Sequence, residues 1–314
     1  MILFLAGLAQ GANAHNVPGS AQATVPEMTE IATGITVKSL KDNMRPMRDS
    51  GGAVQVSTKG GLSATMGNTV PLSFGLTFRD FDTSEMDGSV GVGTLLLGHS
   101  TGQGLVYFGG LIVESGDIRT AADNGRIKDT GAGLALGLDY RVTDQLYLTG
   151  IVGAMSLDYD VSRGGGAITG SFGASRQFLD LSADYLTKGL GGDLRLGFGL
   201  LYVKQKDDGY VESGGAIVAP YRFDQTSATF DLRNSWGLAG RLRPYLELSA
   251  QSRIGGSDSD AVLAALAHLD NEARLGIGFE QTTGMSYLDL GLGANFGDDA
   301  FAGPDARLTY SLRF

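Results

Sequence analysis

The chain has 314 residues, 49 of them glycine and none of them cysteine, and a formal net charge of −10. The lack of cysteine excludes a disulfide framework, thiol chemistry and a cysteine metal site. With 24 basic against 34 acidic residues the balance argues against a nucleic-acid partner, and 18% charged residues with seven prolines exclude both collagen and a highly charged disordered chain.

No stretch supplies the ~20 apolar residues that a membrane-spanning helix needs. The first nine residues are apolar and lead to Ala12-Asn13-Ala14, which resembles the hydrophobic region and small-x-small cleavage site of a secretory signal without its basic start. Residues 1–23 therefore read either as a truncated leader or as a remnant of a passenger or linker in a longer chain. Residues 24–45 form the one long helical candidate. Thr24 can cap it, Pro26 suits its first turn, and Glu27 and Glu30 lie near its positive end. Lys38, Lys41 and Arg45 gather toward its C-terminus, and Pro46 is expected to stop it. Some twenty residues at 1.5 Å each give a rod of about 30 Å, close to the thickness of a bilayer core. Met28, Ile31, Ile35, Leu40 and Met44 make an imperfect apolar stripe along it. Residues 24–50 are thus a helix and linker, and the glycine-rich stretch 51–68 is expected to hold a short hairpin around Lys59-Gly60-Gly61.

From residue 71 onward the texture changes to alternation. Leu72, Phe74, Leu76 and Phe78 interleave with Ser73, Gly75, Thr77 and Arg79; Leu134, Leu136, Leu138 and Tyr140 interleave with Ala135, Gly137, Asp139 and Arg141. A period of two places each set on its own face of a β-strand. Segments 193–204, 272–281 and 285–296 repeat the pattern, and less regular ones run over 88–98, 104–113, 145–161, 172–186, 223–236 and 241–253. The faces of 104–113, which is nearly all apolar, are left unassigned. In the final strand, Leu308, Tyr310, Leu312 and Phe314 share one face, and Arg307, Thr309, Ser311 and Arg313 the other. Twelve strands result. Short links fall at 99–103, 143–144, 187–192, 237–240 and 282–284, whereas long polar ones fall at 115–129, 160–169, 205–221 and 254–271. Short turns at one rim and long loops at the other suit an up-and-down membrane barrel, and a Greek-key sandwich has no reason to keep that parity.

Asp139, Arg141, Asp180, Asp184, Arg195, Asp231, Arg233, Glu247, Arg274, Glu280, Asp289 and Arg307 all fall on the polar side of their strands. Across a polar lumen such charges can satisfy one another, whereas an Arg facing lipid near the midplane costs roughly 2–4 kcal/mol. Gly197, Gly199, Gly276, Gly278, Gly291 and Gly293 remove side chains from that wall, which points to an occupant of the lumen, with the 24–45 helix as the candidate. Tyr140, Tyr147, Tyr202, Trp236 and Tyr310, near strand ends, are expected in an aromatic girdle.

The last strand resembles the C-terminal signature of Gram-negative outer-membrane barrels, in which a terminal Phe and alternating apolar residues are read by the insertion machinery. A helix ahead of a polar linker, then twelve alternating strands ending in Leu-x-Tyr-x-Leu-x-Phe, resembles the translocator domain of autotransporters (type V secretion) over nearly the whole chain. The resemblance implies an all-β, transmembrane, up-and-down antiparallel barrel over 51–314 with the helix in its lumen. It implies an outer-membrane protein, a monomeric barrel, that anchors and assists export of a passenger attached at its N-terminus, which here is absent or vestigial. Lipid and the outer-membrane barrel-assembly machinery are its implied partners. Lys38, Lys41 and Arg45 would lie on the pore helix, and Leu308, Tyr310, Leu312 and Phe314 would form the assembly signal. The Asn-Asn pair at which some members cleave themselves is absent from the helix, Asp42-Asn43 being the nearest match. The rival reading is a small plugged channel or structural barrel without a passenger.

An enzyme at the outer rim would centre on His268 with Asp270, Asp207 and Asp208, but no nucleophile–base spacing is visible and 260–269 reads as a short loop helix. The acidic runs 256–260 and 297–299 lack the fixed ligand spacing of a calcium loop, and Gly164-Gly165-Gly166 has no following Lys-Ser/Thr to make a phosphate cradle. The expectation is a barrel with no catalytic residues, cofactor or metal.

Overall fold

The computed structural model describes residues 18–48, 56–57, 63–64, 71–82, 86–101, 104–121, 124–237, 242–258, 271–283, 286–297 and 300–313. A 3₁₀ turn (Ser20–Thr24) leads into one helix, α1 (Val25–Arg48). Two residue pairs, β1 (Val56–Ser57) and β2 (Ser63–Ala64), form a small hairpin. The barrel strands are β3 (Pro71–Asp82), β4 (Met86–Ser100), β5 (Leu105–Thr120), β6 (Gly125–Arg141), β7 (Leu146–Arg163), β8 (Ile168–Gly189) and β9 (Gly192–Asp207). A second small hairpin, β10 (Tyr210–Val211) with β11 (Ile217–Val218), precedes β12 (Tyr221–Ser235), β13 (Leu242–Asp258), β14 (Asn271–Thr283), β15 (Ser286–Gly297) and β16 (Ala300–Arg313). Twelve strands pair antiparallel, each with its neighbours, and β16 returns to β3 with Leu308 opposite Leu76 and Tyr310 opposite Phe74. Closure leaves no strand edge unpaired, which is the condition for a sheet to cross a bilayer.

The strand count and the closed up-and-down topology are those the alternation predicts. The long connections are shorter than expected. Residues 115–120 and 125–129 continue β5 and β6, with the Asn124 N–H donating to the Ala121 carbonyl between them, and 164–167 is all that separates β7 from β8. These strands run 16 to 22 residues, where about ten suffice to cross a membrane. The surplus stands beyond the bilayer, in water, where the apolar face must turn inward. On β8 the change occurs without a slip in register. Asp180 and Asp184 face the lumen with Leu179, Leu181 and Tyr185 outside, whereas further up Phe172, Ala174 and Phe178 face inward with Ser171, Ser175 and Gln177 outside. Phe81, Met86, Ile118, Ile127, Leu157, Tyr159, Tyr221 and Phe223 complete this inner apolar cap, while Asp82, Arg119, Lys128, Asp158 and Lys206 lie outside it. Read as a single-phase pattern, these segments look polar and loop-like. They are strands whose apolar face has changed sides.

Below the cap the outer surface carries an apolar belt that includes Phe74, Leu97, Leu111, Leu134, Leu136, Leu181, Phe198, Ile277 and Leu292, all exposed. In β5, whose faces the sequence left open, Val106, Phe108 and Ile112 point inward and Tyr107, Leu111 and Val113 outward. Tyr140, Tyr202 and Tyr310 are exposed on the outer face and Trp236, at the end of β12, is half-buried. Tyr147 departs from the expected girdle. It shares the inward face of β7 with Thr149, and the Arg48 guanidinium sits 4.6 Å from its ring centroid.

The helix α1 fills the lumen and is buried except along one half-buried row, Gly34, Lys38, Lys41, Arg45 and Arg48. It runs through Pro46 to Arg48, three residues past the expected end. Proline withholds one backbone donor and crowds the preceding turn, but here only two residues follow it, and the side chain of Arg48 is fixed to the wall. Lys38, Lys41, Asp42, Arg45 and Arg48, at spacings of three and four, share one face of the helix. Ser39, Leu40, Asn43, Met44 and Met47 occupy the other, which packs on β3, β4 and β5.

Candidate functional site: the helix–wall interface

Polarity divides the lumen. On the β3–β4 side the contacts are short and uncharged. Ser39 and Thr94 hydroxyls lie 2.8 Å apart, Asn43 Nδ2 donates to Thr94 Oγ1 at 2.6 Å, and Ser73 Oγ donates to Asn43 Oδ1 at 2.8 Å. The close approach requires small wall residues. A side chain at Gly75 would meet Ser39 Oγ at 2.8 Å and collide with Asn43, and one at Gly98 would collide with Met47. The six glycines singled out from the sequence serve differently. Gly276 and Gly293 give room to Arg274, Gly278 and Gly291 to Tyr245, and Gly197 and Gly199 to side chains of β8 and β12. They accommodate neighbouring strands, not the helix.

On the opposite side the helix meets charge. Lys38 Nζ lies 3.2 Å from Asp231 and 2.5 Å from Glu247, and Lys41 Nζ lies 3.3 Å from Asp180. Arg48 donates to both oxygens of Asp139 at 2.9 Å and reaches Asp184 at 2.7 Å. Asp42, 2.5 Å from Arg45 on the helix, is also 2.5 Å from Arg307 on the last strand. Glu247, fully buried, further accepts from Arg274 at 2.9 Å and Arg307 at 3.1 Å. Arg233 holds Asp289 at 2.8 Å and Glu280 at 2.7 Å, and its guanidinium lies 3.5 Å from the Tyr245 ring centroid. A hydrogen bond to a charged group is worth about 1.5–3 kcal/mol, and stranding one buried partner costs more. The wall acids and the helix cations therefore hold each other in place.

Of the charges placed on the lumen face, Arg141 stands apart: it shares that face with Asp139 but lies at the rim, exposed to solvent. Arg195 is buried with no partner among the described residues. Arg48, Asp42 and Glu30 were not among the charges expected to join helix and wall: Glu30 was read only as an acid near the helix start and Asp42 only as half of Asp42-Asn43. Arg48 lay beyond the proline taken as a stop, although its spacing from Lys41 and Arg45 puts it on the same face. Leu308 and Leu312 are half-buried and Tyr310 exposed, all three on the outer face of β16, and Phe314 lies outside the described residues. His268 and Asp270 also lie outside them, and Asp207 accepts hydrogen bonds from Gln205 and Gln22.

The helix has a direction. Arg48 lies beside the ends of β6 and β8 at the rim of short turns, and Thr29 contacts Gln205 at 3.0 Å toward the far rim. There Glu30 binds Arg253 at 2.7 Å, and the Gly19 N–H donates to Glu212 at 3.1 Å, in the connection after β10. Arg163 grips the same carboxylate at 3.0 and 2.7 Å. These arginine hydrogen bonds, aided by the Gly19 N–H and opposed by burial, hold the Glu212 carboxyl below its usual range.

A family model of the autotransporter β-domain matches residues 72–303. The chain belongs to that family. Solved structures agree on the fold. The translocator domain of the autotransporter NalP from Neisseria meningitidis superposes with a TM-score of 0.68 at 16% identity, covering 92% of this chain and 98% of that one. The β-domain of the Bordetella autotransporter BrkA gives 0.59 at 16% identity, with 78% and 99% covered. The transport unit of AIDA-I from Escherichia coli gives 0.52 at 15% identity, with 88% and 98% covered. Among curated proteins none matches the chain. As an autotransporter β-domain, the chain is an outer-membrane translocator barrel, and the short-turn rim is its periplasmic side.

Proposed function

We propose that this β-domain anchors and assists export of a passenger joined ahead of residue 18, with α1 as the segment that remains in the pore. The observation that carries the reading is the direction of α1, with Gly19 held at the outer rim and Arg48 at the periplasmic one. Lipid contacts the apolar belt, and Leu308, Tyr310, Leu312 and Phe314 serve as the signal for the barrel-assembly machinery. The role is that of a conduit, with no catalytic step, cofactor or metal. An epitope fused ahead of Pro18 tests it. The expected result is antibody access in intact cells, and an epitope reached only after the outer membrane is broken would refute the outward path. Single-channel recording adds a second test, because deleting residues 18–47 is expected to raise conductance, and an unchanged value would show that the helix is no plug.

A further inference from the structure

We infer that the periplasmic mouth holds an anion site for a phosphate group, centred on Arg195. A cavity of about 600 Å³ opens there between the end of α1 and strands β8, β9 and β12 to β15. Arg195 lines it with only 7% of its surface exposed, yet none of its three guanidinium nitrogens has a hydrogen-bond partner among the described residues. An isolated buried cation is costly. The wall makes matters worse, because Arg195 stands directly opposite Arg233 in the β9–β12 register, and like charges across a strand pair repel.

The acids nearby are already engaged. Asp193 accepts from Lys188 and Arg243, and Glu280 is 2.7 Å from Arg233 and 3.5 Å from Arg243. Arg45, which also lines the cavity, is paired with Asp42. Asp42 and Asp289 meet Arg45 and Arg233 from outside the lining, so of the five lining cations (Arg45, Lys188, Arg195, Arg233, Arg243) only Arg195 has no carboxylate beside it among the described residues. Its unoccupied guanidinium fork suits two oxygens of one phosphate. The phosphate is free in the periplasm or borne by a lipid headgroup of the inner leaflet. The site stands independently of the export reading.

The test uses the full chain in neutral detergent. Phosphorus NMR line broadening is measured against inorganic phosphate, and separately against a short-chain phosphatidic acid. Saturable binding in the sub-millimolar range is expected, at least ten-fold weaker in Arg195→Gln and unchanged in Arg141→Gln, whose side chain is exposed at the rim. Binding of the lipid analogue alone assigns the headgroup source, and binding of inorganic phosphate assigns the free one. If neither saturates, or if Arg195→Gln binds like the parent, the site does not exist. Heat-modifiable gel mobility verifies that each variant is a folded barrel. Should Arg195→Gln fail to fold, Arg195→Lys keeps the charge without the fork, and parental affinity in that variant overturns the proposal.

Discussion

Arg48 and Asp139 face each other as fork and carboxylate, joined by two hydrogen bonds of 2.9 Å, at the point where α1 reaches the periplasmic mouth. The same guanidinium reaches Asp184 and lies against Tyr147, so one side chain ties the helix end to three adjacent strands. Arg48→Ala is expected to loosen that end by about 2 kcal/mol, the range of a charge-assisted hydrogen bond, which corresponds to roughly thirty-fold more time unplugged. Planar-bilayer recording should show brief large openings absent from the parent, with the barrel itself still resistant to unfolding. A silent variant would mean that the helix is held from elsewhere.

The uncharged side of the lumen predicts a different failure. Gly75 allows Ser39 and Asn43 to approach the wall, and a side chain there occupies the space they fill. Gly75→Val should lift the middle of α1 from β3 and β4 and raise hydrogen exchange of the helix amides. Gly291→Ala, two strands away on β15, crowds Tyr245 instead and should leave those amides protected. Equal protection in both variants would contradict the placement of the helix against β3.

Barrel closure was legible in the sequence because membrane strands obey one strong rule, apolar outside and polar inside, over each crossing. Leu134, Leu136 and Leu138 beside Asp139 state it plainly. What misled was the water-exposed extension, where the rule inverts and Ile118 and Ile127 take the inner face while Arg119 and Lys128 take the outer. Half of the site could be read in the same way, since Asp180, Asp231 and Glu247 lie in phase with their strands. Their partners could not, because pairing Arg307 with Asp42 depends on how the helix is rotated inside the barrel, a three-dimensional fact that no local pattern records. Tyr147 shows the limit from the other side: position near a strand end suggested the girdle, and only its parity with Thr149 placed it in the lumen.

This inversion is itself testable on β6. Leu136 is 64% exposed within the apolar belt, so Leu136→Arg places a charge in hydrocarbon at about 2–4 kcal/mol and should sharply reduce folded barrel in membranes. On the same outward face, Lys128 already carries a charge in the extension. Lys128→Leu is expected to leave assembly unchanged. Normal assembly of Leu136→Arg would place the bilayer elsewhere on the barrel.

Acid should open the outer end of the plug. Glu212 accepts from Gly19 and from Arg163, and Arg163 foremost holds its carboxyl below the ordinary glutamate value of 4.5. A depressed acid contributes stability that is fully present above its unfolded value and is lost as pH falls through the folded one. The clasp on Gly19 should therefore persist from neutral pH to about 4.5 and weaken progressively below it. Because the chain contains no cysteine, Pro18→Cys, at an exposed position, accepts a single spin label beside the clasp. Its spectrum should sharpen on acidification below that point and recover on neutralisation. Glu212→Gln should give the mobile spectrum at every pH, and a label equally constrained in both chains would show that Glu212 does not hold this end.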